Sequence, residues 1–216
     1  MNFEEFAFNP YQFAGPDWWM KDFHKRHVSY FKGCKKVLDL GAGKGFFLEE
    51  LRSIGIEGIG VESHSASYLE GEAKGLAYIR KDIFSFFSNP EGLSIAQTCD
   101  GVYCAHVIEH LEPEEVFRLF RCVKEFCHPN VRARFVTNNP QDIDVLGSVF
   151  WADLTHKRLY PGPLLEAMAK GQGFTRAVSK TFLGTKIGKR AQVRRIIDRI
   201  FWGPHKWLPN ILLDVN

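Results

Sequence analysis

The sequence predicts an α/β fold in which helices cover both faces of a mostly parallel sheet of seven strands. Short apolar segments alternate along the chain with longer amphipathic segments, and short loops join them. Parallel neighbours need a crossover helix between them, so this alternation favours a doubly wound sheet. A chain of 216 residues with 45% hydrophobic residues can bury the core of one such domain. The composition excludes disordered, collagen-like and disulfide-rich proteins.

The first half of the chain begins with a helix. Asp17 is predicted to cap it, and it runs to about residue 32 and stops at Gly33. Its aromatic residues recur at helical spacing, and we expect them in the core, with one or two forming a lid. These residues are Trp18, Trp19, Phe23 and Tyr30. The elements that follow are a strand at 36–40, a helix at 46–54, a strand at 58–62, a helix at 66–74 and a strand at 77–80.

The second half continues the same alternation. Its elements are a strand at 101–104, a helix at 113–126, a strand at 133–137, a helix at 161–170 and strands at 174–181 and 211–215. No repeat or low-complexity segment divides the chain, so we expect a single domain. Its parts are a helical cover at 1–33, a core at 34–181, a basic helical insertion at 182–209 and the last strand at 210–216.

Cysteine content and the terminal sequence bear on the compartment. Five cysteines without a C-x-x-C pair indicate a reducing environment. The acidic, aromatic N-terminus lacks the features of a signal peptide, and no apolar run approaches the roughly 18 residues that span a bilayer. We therefore expect a soluble, cytoplasmic protein.

The strongest pattern is VLDLGAGKGFF at residues 37–47, where a predicted strand passes into a predicted helix. Glycines there allow a tight turn and a close approach of the backbone to a ligand, and the helix N-terminus favours negative charge. A dinucleotide-binding turn would place its third glycine at position 46, which is Phe46. The carboxylate of Asp39 suits an ammonium group better than a phosphate. Glu62, at the end of the next strand, can accept both hydroxyls of a ribose, so the pattern predicts a ligand with an amino acid end and a nucleoside end.

These residues, together with DGVYCAHVIEHLEP at 100–113, resemble the class I S-adenosylmethionine-dependent methyltransferases over nearly the whole chain. The resemblance implies a Rossmann-like fold with S-adenosyl-L-methionine as the cofactor. It implies that the glycine turn holds the methionine portion, that the acid after the second strand binds the ribose and that the acid after the third meets the adenine. The cofactor-binding residues implied are Asp39, Gly41, Ala42, Gly43, Gly45, Glu62, Ser63, Asp82, Ile83, Cys104, Ala105, His106 and Tyr11.

A narrower likeness concerns the acceptor. FWADLTHKRLYP at 150–161 resembles the F-x-x-D-x-T-H-x-x-P pattern of the type 11/23-like methyltransferases often found beside glycan-assembly enzymes. YQFAGPDWW at 11–19 resembles the aromatic stretch that closes over the cofactor in that subgroup. Pro161 lies later than the proline of the pattern, and an arginine usual near Gly15 is missing. The likeness implies a small-molecule or glycan-type acceptor, methylated on oxygen or nitrogen. The alternative is a non-catalytic partner protein that binds S-adenosylmethionine or S-adenosylhomocysteine.

Methyl transfer needs alignment and removal of a proton from the acceptor, so few reactive residues are expected. The predicted catalytic residues are His156, His110 and His106, and His156 is the preferred base. In other interpretations, His110 caps or packs the helix that opens at Pro113, Glu109 binds a backbone amide, and Asp153 orients His156 to brace the loop. Glu109 and His110 could join a divalent cation, but no third ligand stands at a convincing spacing, so no metal is predicted.

The net charge of +3 is unevenly distributed. Residues 180–206 hold eight Lys or Arg and one acid, a net charge of +7, which leaves −4 on the rest of the chain. Within them, 186–202 has the spacing of an amphipathic helix that packs on the domain, lies on an anionic membrane surface or contacts an acidic partner. No aromatic stacking platform or RNA-binding motif accompanies it, so a nucleic-acid partner is not expected. The oligomeric state is not indicated.

Overall fold

A computed structural model describes residues 16–182 and 210–216 and contains one sheet of seven strands. The strands are β1 (Lys36–Leu40), β2 (Glu57–Glu62), β3 (Ala77–Arg80), β4 (Gly101–Ala105), β5 (Arg132–Asn138), β6 (Ala177–Phe182) and β7 (Asn210–Val215). Their order is β3-β2-β1-β4-β5-β7-β6. The pairs among β1 to β5 are parallel, whereas β7 runs antiparallel to both β5 and β6. The predicted Rossmann-like, mostly parallel fold is confirmed, with an antiparallel hairpin at one edge.

Helices connect the strands. They are α1 (Asp17–Val28), α2 (Phe46–Ser53), α3 (Ser65–Ala73), α4 (Ile83–Phe87), α5 (Pro90–Thr98), α6 (Pro113–Phe126), α7 (Phe150–Ala152) and α8 (Gly162–Gly171). Single 3-10 turns span Ser29–Phe31 and Ile108–His110, and a π-helical turn spans Val145–Val149. Helices α4 and α5 were not expected from the sequence. The side chains of Asp82 and Asn89 cap them by accepting backbone N–H groups of their first turns.

The first helix differs in detail from the prediction. Pro16 occupies the N-cap position in an extended conformation, so Asp17 is the first helical residue and not the cap. The helix ends at Val28, before the 3-10 turn. Trp18 is 70% exposed, so its predicted place in the core is wrong. Phe23 is fully buried, as expected, and forms the buried face of α1 together with the ring of His27.

Two apolar cores lie on the two faces of the sheet. On one face, α6 buries Val116, Leu119, Phe120 and Val123 against β4 and β5 residues such as Phe135. On the other face, the rings of Phe47 and Tyr103 stack at 3.8 Å beneath α1. Each large apolar side chain contributes about 1.5–3 kcal/mol when fully buried, so both faces hold the sheet firmly. All five cysteines are buried free thiols within these cores.

The parallel strands β1 to β5 all end at one edge of the sheet, and the topology brings other segments there. Asn210, the first residue of β7, lies opposite Asn138 at the end of β5 and opposite Phe182 at the end of β6. Ligands bind at this carboxyl edge in open parallel sheets. Tyr11 and the basic segment 186–202 lie outside the described residues. None of the helices in the described ranges combines the length and apolar character needed to span a bilayer.

Candidate functional site

The glycine turn between β1 and α2 is held against the second strand. The backbone N–H groups of Gly41 and Ala42 donate to the Val61 carbonyl at 2.9 and 3.1 Å. The φ angles at positions 41, 43 and 45 are 78°, 53° and 82°, a region that favours glycine. A Cβ atom at Gly41 would lie only 2.5 Å from Val107 Cγ2. The turn therefore needs its glycines, and it brings bare backbone to the carboxyl edge of the sheet.

The Glu62 carboxylate, at the end of β2, is oriented by two backbone donors. Oε2 accepts from the Gly43 N–H at 2.8 Å, and Oε1 accepts from the His64 N–H at 2.7 Å. The residue is 9% exposed. A carboxylate offers about four acceptor positions, so each oxygen can still accept one hydroxyl. This geometry suits a vicinal diol such as that of a ribose.

Asp39, one strand away, is a buried carboxylate. It is 2% exposed, and none of the described residues donates a hydrogen bond to it. Burial, followed by repulsion from Glu62, raises the pKa of Asp39 well above its usual value. A cationic ligand group at this position would offset both effects. The pair of acids thus fits a ligand with an ammonium group and a ribose, the two groups that S-adenosylmethionine presents.

The remaining predicted cofactor residues follow the next two strands. Asp82 is exposed and uses Oδ1 to accept from the Phe84 and Ser85 N–H groups, at 3.1 and 2.9 Å. Ser63 is exposed, and Ile83 and Ala105 are partly buried, all at the carboxyl ends of their strands. Cys104 is fully buried in the core, and burial raises the pKa of its thiol, so it is not a nucleophile.

His106 follows β4 and forms a dyad with a buried carboxylate. Its φ is 54°, the only left-handed value among the described residues other than glycine. Its Nδ1 lies 2.8 Å from Glu109 Oε1, and Glu109 Oε2 accepts from the Thr137 hydroxyl at 2.8 Å. Glu109 is 0% exposed. Desolvation is the largest single influence on its pKa and raises it, but the nearby His106 and His110 together outweigh desolvation and lower the pKa to about 2. An ionised carboxylate only accepts, so Nδ1 carries the hydrogen and Nε2 is the basic atom.

The structure bears on three interpretations of these loops. Glu112 and not His110 caps α6, through a capping box with Glu115. The carboxylate of Glu109 does bind structural partners, and these include the side chains of His106 and Thr137. Asp153 braces the loop through its carbonyl, which accepts from the His156 N–H at 3.2 Å, whereas its Oδ2 lies 3.8 Å from His156 Nε2 and makes no hydrogen bond with the ring.

The loop after β5 lies beside the loop after β4. The Glu109 carbonyl accepts from the Lys157 and Arg158 N–H groups at 2.8 and 3.2 Å. The rings of His110 and His156 have centroids 4.7 Å apart. The structure thus places His106 against Glu109 and His110 against His156. Sequence reasoning missed Thr137, because a threonine has no distinctive spacing from a partner far along the chain, whereas Thr155 belongs to the pattern at 150–161.

Comparisons with known proteins identify the family. The family model Methyltransf_23, described as a methyltransferase domain, matches residues 19–178. A S-adenosylmethionine-dependent methyltransferase from Archaeoglobus fulgidus is 27% identical, with a TM-score of 0.77, over 95% of this chain and 96% of that one. No curated protein matches in sequence.

Two further structures share the fold at lower identity. A S-adenosylmethionine-dependent methyltransferase from Mesorhizobium loti is 18% identical, with a TM-score of 0.61, over 85% of this chain and 91% of that one. A Haloferax volcanii methyltransferase, in complex with the Trm112 methyltransferase activator, is 14% identical, with a TM-score of 0.67, over 91% of this chain and 89% of that one. The family match covers most of the chain, and the neighbouring structures agree with it. The chain therefore belongs to the methyltransferase-domain family and is a class I S-adenosylmethionine-dependent methyltransferase of the type 11/23 kind.

Proposed function

We propose that the protein transfers the methyl group of S-adenosylmethionine to an oxygen or nitrogen of a small-molecule or glycan-type acceptor, with His106 as the general base. The observation that carries the proposal is the dyad of His106 and the buried, ionised Glu109 at the carboxyl end of β4. When bound, the cofactor supplies an electrophilic methyl group on a sulfonium centre.

The proposed cofactor contacts follow from charge and orientation. Asp39 pairs with the ammonium group, and Glu62 accepts the ribose hydroxyls on the lone pairs left free by its two backbone donors. Asp82, beside Ile83, is exposed and accepts the adenine amino group in addition to the Phe84 and Ser85 N–H groups of α4. Together, the contacts of Asp39, Glu62 and Asp82 would orient the methyl donor before the acceptor arrives.

The proton of the acceptor passes to His106 Nε2 as the methyl group is transferred. The positive charge that forms on the ring is stabilised by Glu109 at 2.8 Å, which in turn is held by Thr137. This assignment replaces His156 as the preferred base. The Nδ1 of His156 faces the Phe150 carbonyl at 2.6 Å, and its ring has no comparable carboxylate partner.

The proposed class of acceptor is based on the sequence pattern at 150–161, which includes α7 and the loop that follows it. Lys157 and Arg158 are exposed beside the dyad and can hold a phosphate or carboxylate on the acceptor. Because Lys157 also pairs with Glu115 at 3.2 Å, a phosphate on a glycan-type acceptor would bind mainly to Arg158.

Calorimetry with S-adenosylhomocysteine tests the cofactor contacts. Asp39→Asn and Glu62→Gln should each weaken binding about 10- to 100-fold, the equivalent of one charged hydrogen bond. Glu57→Gln is the matched control, because it lies on the same strand at the opposite edge of the sheet and should bind normally. Unchanged affinity in both site variants would contradict the proposal.

Turnover on a panel of glycans, phosphorylated sugars and small hydroxyl and amine compounds tests the chemistry. His106→Ala and Glu109→Gln should lower turnover about 10²- to 10⁴-fold while cofactor affinity remains near that of the wild type. Full turnover in both variants would remove the dyad from the mechanism. Tight cofactor binding with no product from any acceptor would favour the non-catalytic alternative.

A further inference from the structure

A second cluster lies beside the dyad and takes no part in the proton transfer. His110, Asp153 and His156 each offer one ligand atom, and these atoms lie within 4.8 Å of one another. His156 and Asp153 have side chains that are 10% and 19% exposed, so the cluster is partly open to solvent. It joins the 3-10 turn after β4 to the loop after α7.

The hydrogen bonds of His156 determine which of its nitrogens carries the proton. Its Nδ1 lies 2.6 Å from the Phe150 carbonyl oxygen, which can only accept, so Nδ1 must donate. In the neutral ring, Nε2 is then an unprotonated lone pair. It faces Asp153 Oδ2 at 3.8 Å, and two acceptors at that distance repel each other.

The hydrogen bonds of Thr155 determine, in the same way, which nitrogen of His110 carries the hydrogen. Its hydroxyl donates its single hydrogen to Asp153 Oδ1 at 2.6 Å, and its backbone N–H donates to the same oxygen at 2.8 Å. The hydroxyl must therefore accept at 2.8 Å from Nδ1 of His110. Nε2 of His110 is left as a lone pair, and Oδ2 is left as the free oxygen of Asp153.

We propose that His110, Asp153 and His156 bind a divalent transition-metal ion through the two Nε2 atoms and a carboxylate oxygen. The hydrogen bonds of the cluster use the opposite atoms, Nδ1 of each ring and Oδ1 of the carboxylate. Ring nitrogens held by a carbonyl or hydroxyl on the far side are typical of metal-binding histidines, whose outer partners fix the tautomer. A cation would remove the repulsion between His156 Nε2 and Asp153 Oδ2.

The donor set indicates the kind of ion. Two imidazoles and one carboxylate suit Zn²⁺ and related transition metals, whereas Mg²⁺ prefers oxygen ligands. Three protein ligands leave a coordination position open, as in catalytic zinc sites. Binding of an acceptor oxygen at this open position would depend on the proposed function, but binding of the ion itself does not.

The cluster differs from the cation site considered from the sequence. That interpretation joined Glu109 to His110 and found no third ligand. In the structure both oxygens of Glu109 are engaged by His106 and Thr137, and the loop after α7 supplies the other two ligands.

The test uses the full chain, expressed without a polyhistidine tag, treated with a chelator and titrated with Zn²⁺ in calorimetry. One ion should bind per chain. Asp153→Asn and His156→Ala should weaken binding at least 10-fold, and Thr155→Val, which removes only the outer hydroxyl, should weaken it about 10- to 100-fold. His128→Ala is the control, because it lies outside the cluster and should bind Zn²⁺ as the wild type does.

Substitution with Co²⁺ gives a second, spectroscopic measurement. Its visible absorption should appear at one equivalent in the wild type and the control, and should change in the Thr155→Val variant. No bound ion, or binding unaffected by Asp153→Asn and His156→Ala, would overturn the proposal. Neither measurement needs cofactor or acceptor, so failure of the proposed methyl transfer would leave the result for the metal site intact.

Discussion

Replacement of His27 by leucine should make the protein less sensitive to acid. The His27 ring is 0% exposed between α1 and the sheet, and its centroid lies 4.8 Å from that of Phe182. Neither of its ring nitrogens has a hydrogen-bond partner among the described residues. Burial lowers the pKa of His27 to about 2, and positive charge on Arg134 and on the neighbouring histidines adds to the effect.

The sign of the effect follows from proton binding in the two states. The ring has its ordinary pKa of 6.5 when the chain is unfolded and about 2 when it is folded, so the unfolded state takes up the proton first. The contribution of His27 to stability is therefore complete above pH 6.5 and is lost as the pH falls below it. Each pH unit in this window corresponds to about 1.4 kcal/mol, so the free energy of unfolding should fall by about 2 kcal/mol between pH 7 and pH 5.

Urea unfolding at pH 7 and pH 5 measures this loss. The wild type should lose about 2 kcal/mol more than His27→Leu over the interval, because contributions from all other titrating groups cancel in the difference. Phe23→Leu, a non-titrating change in the same ring cluster, should lower stability equally at both pH values. If the difference in stability between His27→Leu and the wild type is the same at pH 7 and pH 5, the reasoning is refuted.

Two further predictions concern stability. Gly41→Ala should lower the free energy of unfolding by about 2 kcal/mol in urea, because the methyl group meets Val107 at 2.5 Å and φ is 78°. In the double variant, Val107→Ala should restore the part of the stability loss that comes from contact between the new methyl group and Val107. If no stability is recovered, the whole loss comes from backbone strain at position 41. Arg134→Lys should lower stability by about 1–2 kcal/mol, since it breaks a two-pronged ion pair with Asp214 and a contact with the Tyr30 ring. An unchanged melting temperature would contradict this.

Features encoded by neighbouring residues could be predicted from the sequence. The glycine turn, the strand before it and the acid that ends the next strand follow from local spacing and pairing between adjacent crossovers. The order of the last three strands could not be predicted. β7 lies between β5 and β6, and this pairing of strands distant in the sequence leaves no local sequence pattern. Helix α5 had a readable signal in Asn89 followed by Pro90, a typical helix start.

The side-chain network of the site was largely beyond sequence reasoning. Histidines and acids drew attention because of their chemistry, but their roles depend on Thr137 and Thr155, which lie 28 and 45 residues from Glu109 and His110. The exposure of Trp18 was missed for a related reason. Helical spacing shows that residues share a face, but the sheet decides which face is covered.

The hairpin of β6 and β7 has a consequence for how this enzyme can diversify. Because Phe182 and Asn210 lie opposite each other, β6 ends and β7 begins at the edge of the sheet that carries the site. The closure entropy of a loop grows slowly, by about 0.6 kcal/mol for each doubling of its length. A longer or shorter segment between Phe182 and Asn210 would therefore change the cost of closing the chain only slightly, so this position beside the site can accept exchanged segments that bring new acceptor preferences to an unchanged sheet.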